Sequence, residues 1–298
     1  MIRDFEALMQ SAKGKGEKNI AIAAAEDQNT IEALKELKEH IDVNYFLIGD
    51  SQKITETCGQ VGLNIDAVTV IHTESDEESA AKAVELAAKG EADVLMKGKL
   101  GTATLLKAVL NKETGIQLGG LMSHLAVLES PNYHKLMFVS DGGINTTPDL
   151  EKKKAILNNA VDFMHKLGYD KPNVAAICAV ENVSDKMQET VDAAAIAESN
   201  KAGEVTGCHV EGPISFDLAI SAESAALKGF ESKIAGETDF FLMPNIATGN
   251  VMVKAPLYLG GAKMAGCVLG AKVPIVLTSR GATAEEKLLS FLLTLAAS

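Results

Sequence analysis

No stretch of this chain approaches the roughly 20 apolar residues that span a bilayer. The opening residues, MIRDFEALMQSAKGKGEK, contain no apolar signal core. A cytoplasmic location without membrane contact is the expectation. Positive charge is also in short supply: 28 Lys and Arg stand against 40 Asp and Glu, a formal net charge of −12. A nucleic acid as main partner would meet uncompensated long-range repulsion and is excluded. A small anion is not, because a few basic groups at helix starts reverse the sign locally. Cysteine is scarce and scattered. Cys58, Cys178, Cys208 and Cys267 form no C-x-x-C pair, so neither a zinc site nor a disulfide framework is indicated, and buried thiols are expected. None of the six histidines has metal-ligand spacing, so no metal is expected. The G-x-x-x-x-G-K-[ST] and G-x-G-x-x-G spacings are missing as well, which leaves an NTPase or NAD enzyme without direct support.

What is present is alternation. At 298 residues and 47% apolar, the chain can bury a substantial core and sits at the size where one or two domains are both possible. Short apolar runs at 20–24, 43–48, 67–71 and 93–96 alternate with helical patterns at 30–40, 51–61 and 75–90 and after 102. Ser75 and Glu78 make a capping box. Strands alternating with helices of this length imply parallel β-α-β units and an α/β fold. Residues 119–128 and 135–139 are separated only by Ser130-Pro131-Asn132-Tyr133, too short for a helical crossover, so an antiparallel pair is expected. Asp149 is placed to cap a long helix reaching Gly168. Strands at 173–180 and 240–243, a helix at 184–200 and a helix within 249–270 complete the pattern. Asp141-Gly142-Gly143 is the best candidate for a crossover between domains.

Residues 273–287, VPIVLTSRGATAEEK, hold the most informative stretch. Val273, Ile275, Val276 and Leu277 suit a strand buried on both faces, and Thr278, Ser279 and Arg280 follow at its carboxyl end. That end is where open α/β sheets bind ligands, and the next helix offers unpaired N–H groups to an anion. Thr283 and Glu286 fit a second capping box, which by itself accounts for Glu286. Residues 97–102, KGKLGT, also lie between a strand and a helix and can hold phosphate or serve as a plain connection. The same two readings apply to 244–250, PNIATGN.

Together, residues 273–286, MPNIATGNVMVK from Met243 and SDGGINTTPDL from Ser140 resemble the phosphate acyltransferases, the phosphate acetyl- and butyryltransferases. The resemblance runs over nearly the whole chain, with Ser-Arg-Gly at 279–281 its most specific part. It implies reversible transfer of a short acyl group between CoA and inorganic phosphate. Acyl-CoA and phosphate are then substrates, no cofactor is tightly bound, and a homodimer or higher homo-oligomer is the assembly. It further implies two α/β/α domains with mixed, mostly parallel sheets, like isocitrate and isopropylmalate dehydrogenases, with the active site in the cleft between them. The first domain would be discontinuous, 1–139 and 268–298, and the second 140–267. Thr102, Lys107, Asn245, Thr248, Gly249 and Asn250 are the expected substrate-binding residues.

The chemistry assigns roles to the loop. When CoA attacks an acyl phosphate its thiol must lose a proton, and free thiols have a pKa of about 8.5, so a nearby base such as Glu286 helps. Negative charge develops on the carbonyl and on the departing phosphate, which a guanidinium at Arg280 would stabilise. Ser279 can donate a hydrogen bond without being acylated. Direct transfer in a ternary complex is the expectation. Two positions depart from the resemblance: acetyl-specific members carry aspartate where Glu286 stands and arginine where Lys107 stands, and lysine lacks the bidentate fork. Acetyl transfer is therefore one alternative. A decarboxylating dehydrogenase, which would need an aspartate cluster, and a silent acyl-CoA binding protein are the others.

Overall fold

The computed structural model describes residues 2–279 and 281–298, so Arg280 lies outside the described residues. Up to residue 120 the described chain forms α1 (Phe5–Lys13), β1 (Lys18–Ala23), α2 (Gln28–His40), β2 (Val43–Gly49), α3 (Ser51–Val61), β3 (Thr69–His72), α4 (Asp76–Lys89), β4 (Val94–Lys97) and α5 (Thr102–Val109). From there to residue 264 come β5 (Ser123–Glu129), β6 (Met137–Ser140), α6 (Leu150–Lys166), β7 (Asn173–Ile177), α7 (Gln188–Lys201), β8 (His209–Ile214), α8 (Phe216–Ile220), α9 (Ala222–Leu227), β9 (Phe240–Leu242) and α10 (Ile246–Leu259). The chain ends with β10 (Lys263–Leu269), β11 (Ile275–Val276) and α11 (Ala284–Ala296).

Two compact units result. One consists of Glu6–Gly120 and Ala265–Ser298. Its strands run in the order β3-β2-β1-β4-β11-β10, all parallel except β10, which pairs antiparallel with β11. Ile20 to Ala23 are all fully buried without alternation, the pattern of a strand covered on both faces. Helix starts follow from the residues before them. Asp27, Asp50 and Ser75 each accept backbone N–H groups of the first turn of α2, α3 and α4, contacts worth about 1 kcal/mol apiece. At α4 the expected capping box is present in altered form, because Glu78 accepts the N–H of Glu74 rather than that of Ser75.

The other unit is Leu121–Met264, joined by the N-terminal residues up to Phe5. Its strand order is β5-β6-β9-β7-β8, with β5 antiparallel to β6 and the rest parallel. One face, with Leu128, Val139, Ala175 and Phe241, packs on Leu218 of α8, Ala225 of α9 and Val253 of α10. Ala176, which points the other way, packs on Ala193 of α7. The change-overs at 120/121 and 264/265 differ from the 139/140 and 267/268 read from the sequence. The β5–β6 hairpin pairs through β6 with β9, so both strands belong to this unit, and Asp141-Gly142-Gly143 lies inside it.

Candidate active site

In the first unit three loops leave the carboxyl ends of the neighbouring strands β1, β4 and β11. Lys97, at the end of β4, is buried, and its Nζ donates to the carbonyls of Gly98 at 3.1 Å and Leu100 at 3.3 Å, so this ammonium braces the loop from inside. Gly98 donates its N–H to Ala23 O at 2.8 Å. A Cβ there would stand 2.1 Å from Ala24 O, so glycine is required by the closeness of the two loops. Thr102 opens α5 after Gly101, which makes no side-chain cap bond. Lys107 is exposed in the last turn of the same helix, at the end away from the loop.

The loop after β11 carries Ser279, exposed, whose Oγ accepts the Gly281 N–H at 3.4 Å. It is tied to α2 at two points. Asn29 Nδ2 donates to Ala282 O at 3.1 Å, and the buried Lys287 ammonium donates to Asp27 and to Thr30 Oγ1. Burial opposes charge on Asp27, but the hydrogen bonds from Lys287 and Thr30 outweigh it and hold its carboxyl below the usual carboxylate range. This pair, 260 residues apart in the chain, fixes where α11 begins.

Thr283 caps α11, its Oγ1 accepting the Glu286 N–H at 3.1 Å. The reciprocal half of the capping box is present too, because the Thr283 backbone N–H bonds to the Glu286 carboxylate and stabilises its charged form. Half-burial pushes this carboxyl above the ordinary glutamate range; Glu285 adds to the shift, while the Thr283 contact and Lys287 oppose it. A half-buried carboxylate with a raised pKa has the properties of a general base, and a capping contact also positions it.

In the second unit the expected substrate-binding residues gather at the start of α10. Asn245 is its N-cap, its Oδ1 accepting the N–H and the hydroxyl of Thr248 at 3.0 and 3.1 Å. Gly249 lies against the loop after β6, where a Cβ would be 2.4 Å from Asp141 O, and Asn250 Nδ2 donates to Gly142 O at 3.2 Å. Asn245, Gly249 and Asn250 thus hold a helix start against a loop, and Thr248 is exposed beside them. Asp141 organises that loop. Buried, it accepts the N–H groups of His124, Gly143 and Ile144 and the Asn145 amide. The sequence offers Asp141-Gly142-Gly143 only as a candidate crossover between domains. Three of the four donors to Asp141 lie within four residues of it, and the fourth, the His124 N–H, is 17 positions away and is set by strand pairing. His124, in register beside it, has a ring packed on Gly143 and an Nδ1 without a partner among the described residues.

All four cysteines are buried. Burial pushes the Cys208 thiol up to about 11 and the Cys178 thiol up to about 12, and raises those of Cys58 and Cys267. None is a ready thiolate nucleophile. Among the described residues no group of three or more His, Cys, Asp or Glu could hold a metal, and no helix is long and apolar enough to cross a membrane.

The family model described as phosphate acetyl/butaryl transferase matches residues 74–295. The chain belongs to that family. It is 40% identical over 293 residues to the phosphate butyryltransferase of Clostridium acetobutylicum, covering 98% of this chain and 97% of the relative. It is 36% identical over 290 residues to the phosphate acetyltransferase of Thermotoga maritima, with 97% and 98% covered. Among solved structures, a branched-chain phosphotransacylase from Enterococcus faecalis V583 aligns with a TM-score of 0.84 at 28% identity, covering 94% of this chain and 98% of that one. A 4-hydroxythreonine-4-phosphate dehydrogenase from Klebsiella pneumoniae aligns with a TM-score of 0.57 at 14% identity, covering 94% and 100%, a likeness of fold alone. The dehydrogenase-like α/β architecture and the family resemblance read from 273–286 and 243–254 both stand.

Proposed function

We propose that this protein transfers a short acyl group, butyryl or branched-chain, reversibly between CoA and inorganic phosphate. The observation that carries the reading is the Glu286 carboxylate, half-buried and raised in pKa, seven residues beyond an exposed serine at the carboxyl end of β11. When CoA attacks an acyl phosphate, Glu286 takes the thiol proton, the sulfur–carbon bond forms and the bond from the carbonyl carbon to the phosphate oxygen breaks. Arg280 stabilises the developing charge on the carbonyl and on the phosphate, and the Ser279 hydroxyl donates to the same charge. In reverse, protonated Glu286 returns the proton to the leaving thiolate. Thr102, Asn245, Thr248, Gly249 and Asn250 bind the substrates, with Lys107 as an added positive charge. The raised cysteine thiols support direct transfer in a ternary complex, without an acyl-enzyme.

The chain acts as a cytoplasmic homodimer in this reading. Val251, Tyr258 and Leu259 form an exposed apolar stripe along α10 at helical spacing. The test of function is direct. Mixing the protein with butyryl-CoA releases free thiol only when phosphate is added, at a rate that depends on the acyl chain across acetyl, butyryl, isobutyryl and isovaleryl substrates. The absence of phosphate-dependent release from every one of them overturns the proposal, and a burst of acyl-enzyme on rapid mixing overturns the direct mechanism.

A further inference from the structure

Helix α4 covers its sheet unevenly, and the strand order gives the reason. β1, α2, β2, α3 and β3 step toward one edge of the sheet, and α4 then carries the chain back across to β4. With right-handed crossovers, that reversal puts α4 on the face opposite α2 and α3. α4 packs chiefly on β1, β2 and β4, whereas α3 packs on β2 and β3. The edge strand β3 is therefore left open on the α4 side. A groove of about 690 Å³ lies there, lined beside α4 by Ile71 and Thr73, alternate residues at the end of the strand.

The α4 wall of this groove carries an ordered row. Glu78, Lys82, Glu85 and Lys89 follow at steps of four, three and four residues, which places them on one helix face, and Ala81 and Ala88 lie among them. Within one chain the row is unevenly paired. Lys82 and Lys89 both reach Glu85, while the Glu78 carboxylate takes the Glu74 N–H and no cation among the described residues. Reversing the row evens it out. In an antiparallel pair of α4 helices related by a two-fold axis, Glu78 stands opposite the partner's Lys89 and Lys82 opposite the partner's Glu85, so all four positions meet opposite charge. Ala81 comes beside the partner's Ala88, small residues that let two helices approach closely, and each helix fills the other's groove.

We propose that this groove takes α4 of a second copy of the chain, in an antiparallel two-fold contact. α4 is in the unit that does not carry α10, so this contact is additional to the one along α10, and it is independent of the transferase reading. Exposed ion pairs give register more than strength, so a dissociation constant on the order of 10⁻⁴ M is expected and the α10 species persists at micromolar concentration. The weight-average mass in sedimentation should rise by about 1.5-fold or more between ~5 μM and ~0.3 mM protein at ~0.02 M salt, and by less at ~0.3 M salt. Two double variants of equal net charge test the register. Lys82→Glu with Glu85→Lys exchanges the signs of one facing pair and should keep the rise. Lys82→Glu with Glu78→Lys sets like charges opposite each other at every position of the row and should abolish it. A wild type whose mass does not rise, or double variants that behave alike, overturn the proposal, including the case in which another protein or a small molecule fills the groove.

Discussion

Glu286 carries two explanations from the sequence, helix cap or base, and the geometry is compatible with both at once. Thr283 receives the Glu286 N–H and its own N–H stabilises the charged carboxylate, while burial, the larger effect, raises the pKa. As a base it must be ionised, and its pKa is raised by burial, so CoA attack should fail as pH falls through a value above that of an ordinary glutamate. Glu286→Gln should slow CoA attack on butyryl phosphate by about 10²- to 10⁴-fold near neutral pH and recover as the thiol ionises unaided at high pH. Arg280→Ala should depress turnover at every pH. A Glu286→Gln profile parallel to wild type in the pH series would make the residue a cap only. Lys287, one position on, has a scaffold role. Lys287→Met removes the buried partner of Asp27 and should lower unfolding stability by about 2–4 kcal/mol in urea. The folded-state pKa of Asp27 is depressed, so its contribution is present above the unfolded value near 4 and lost as pH falls through the lower folded value. The wild-type advantage over Lys287→Met should therefore hold at neutral pH and shrink in acid below about pH 4.

Elements declared by their own residues were legible, and elements fixed by distant partners were not. α3 at Ser51–Val61 and α6 behind its Asp149 cap stand where periodicity and capping put them, and the β5–β6 hairpin follows from Ser130-Pro131-Asn132-Tyr133. The helix expected within 249–270 is α10, and the strand β10 that follows it is the part not foreseen, since Gly260 and Gly261, the latter at φ 67, end the helix and a glycine-bearing strand hides in KMAGCVL. β8, HVEGPI, has too much glycine and proline to announce itself as a strand. At the site, the strand-to-helix loop of 273–287 was readable, but the Asp27–Lys287 and Asp141–His124 contacts that shape it and its counterpart depend on packing. α10 adds a prediction at this scale. A helix that is apolar on its outer stripe needs a partner, and Leu259 is 90% exposed. Leu259→Glu forfeits a buried leucine, about 1.5–3 kcal/mol per copy, and should shift the species seen by light scattering from dimer to monomer at micromolar concentration. An unchanged mass would place any interface elsewhere.

The whole molecule presents a contradiction between its charge and its proposed substrates, because a protein of formal net charge −12 is read as binding phosphate and the polyanion CoA. The total field and the local field differ in range, and ionic strength separates them. The Debye length is about 30 Å at 0.01 M and about 8 Å at 0.15 M, so added salt first silences charges far from the site and leaves contacts of a few ångströms largely intact. If Arg280 and the loop amides attract the substrate locally while the acidic surface repels it at distance, moderate salt should help encounter. The expected outcome is a rise of about two- to fivefold in kcat/KM for butyryl-CoA between 0.01 and 0.15 M monovalent salt, with little change for the uncharged butyryl-pantetheine. Surface repulsion slows approach and does not weaken the bound state, so the gain should sit in KM at nearly constant kcat. A steady fall of kcat/KM for butyryl-CoA with salt would mean that a positive approach path dominates, and that the loop's field reaches further than the net charge allows.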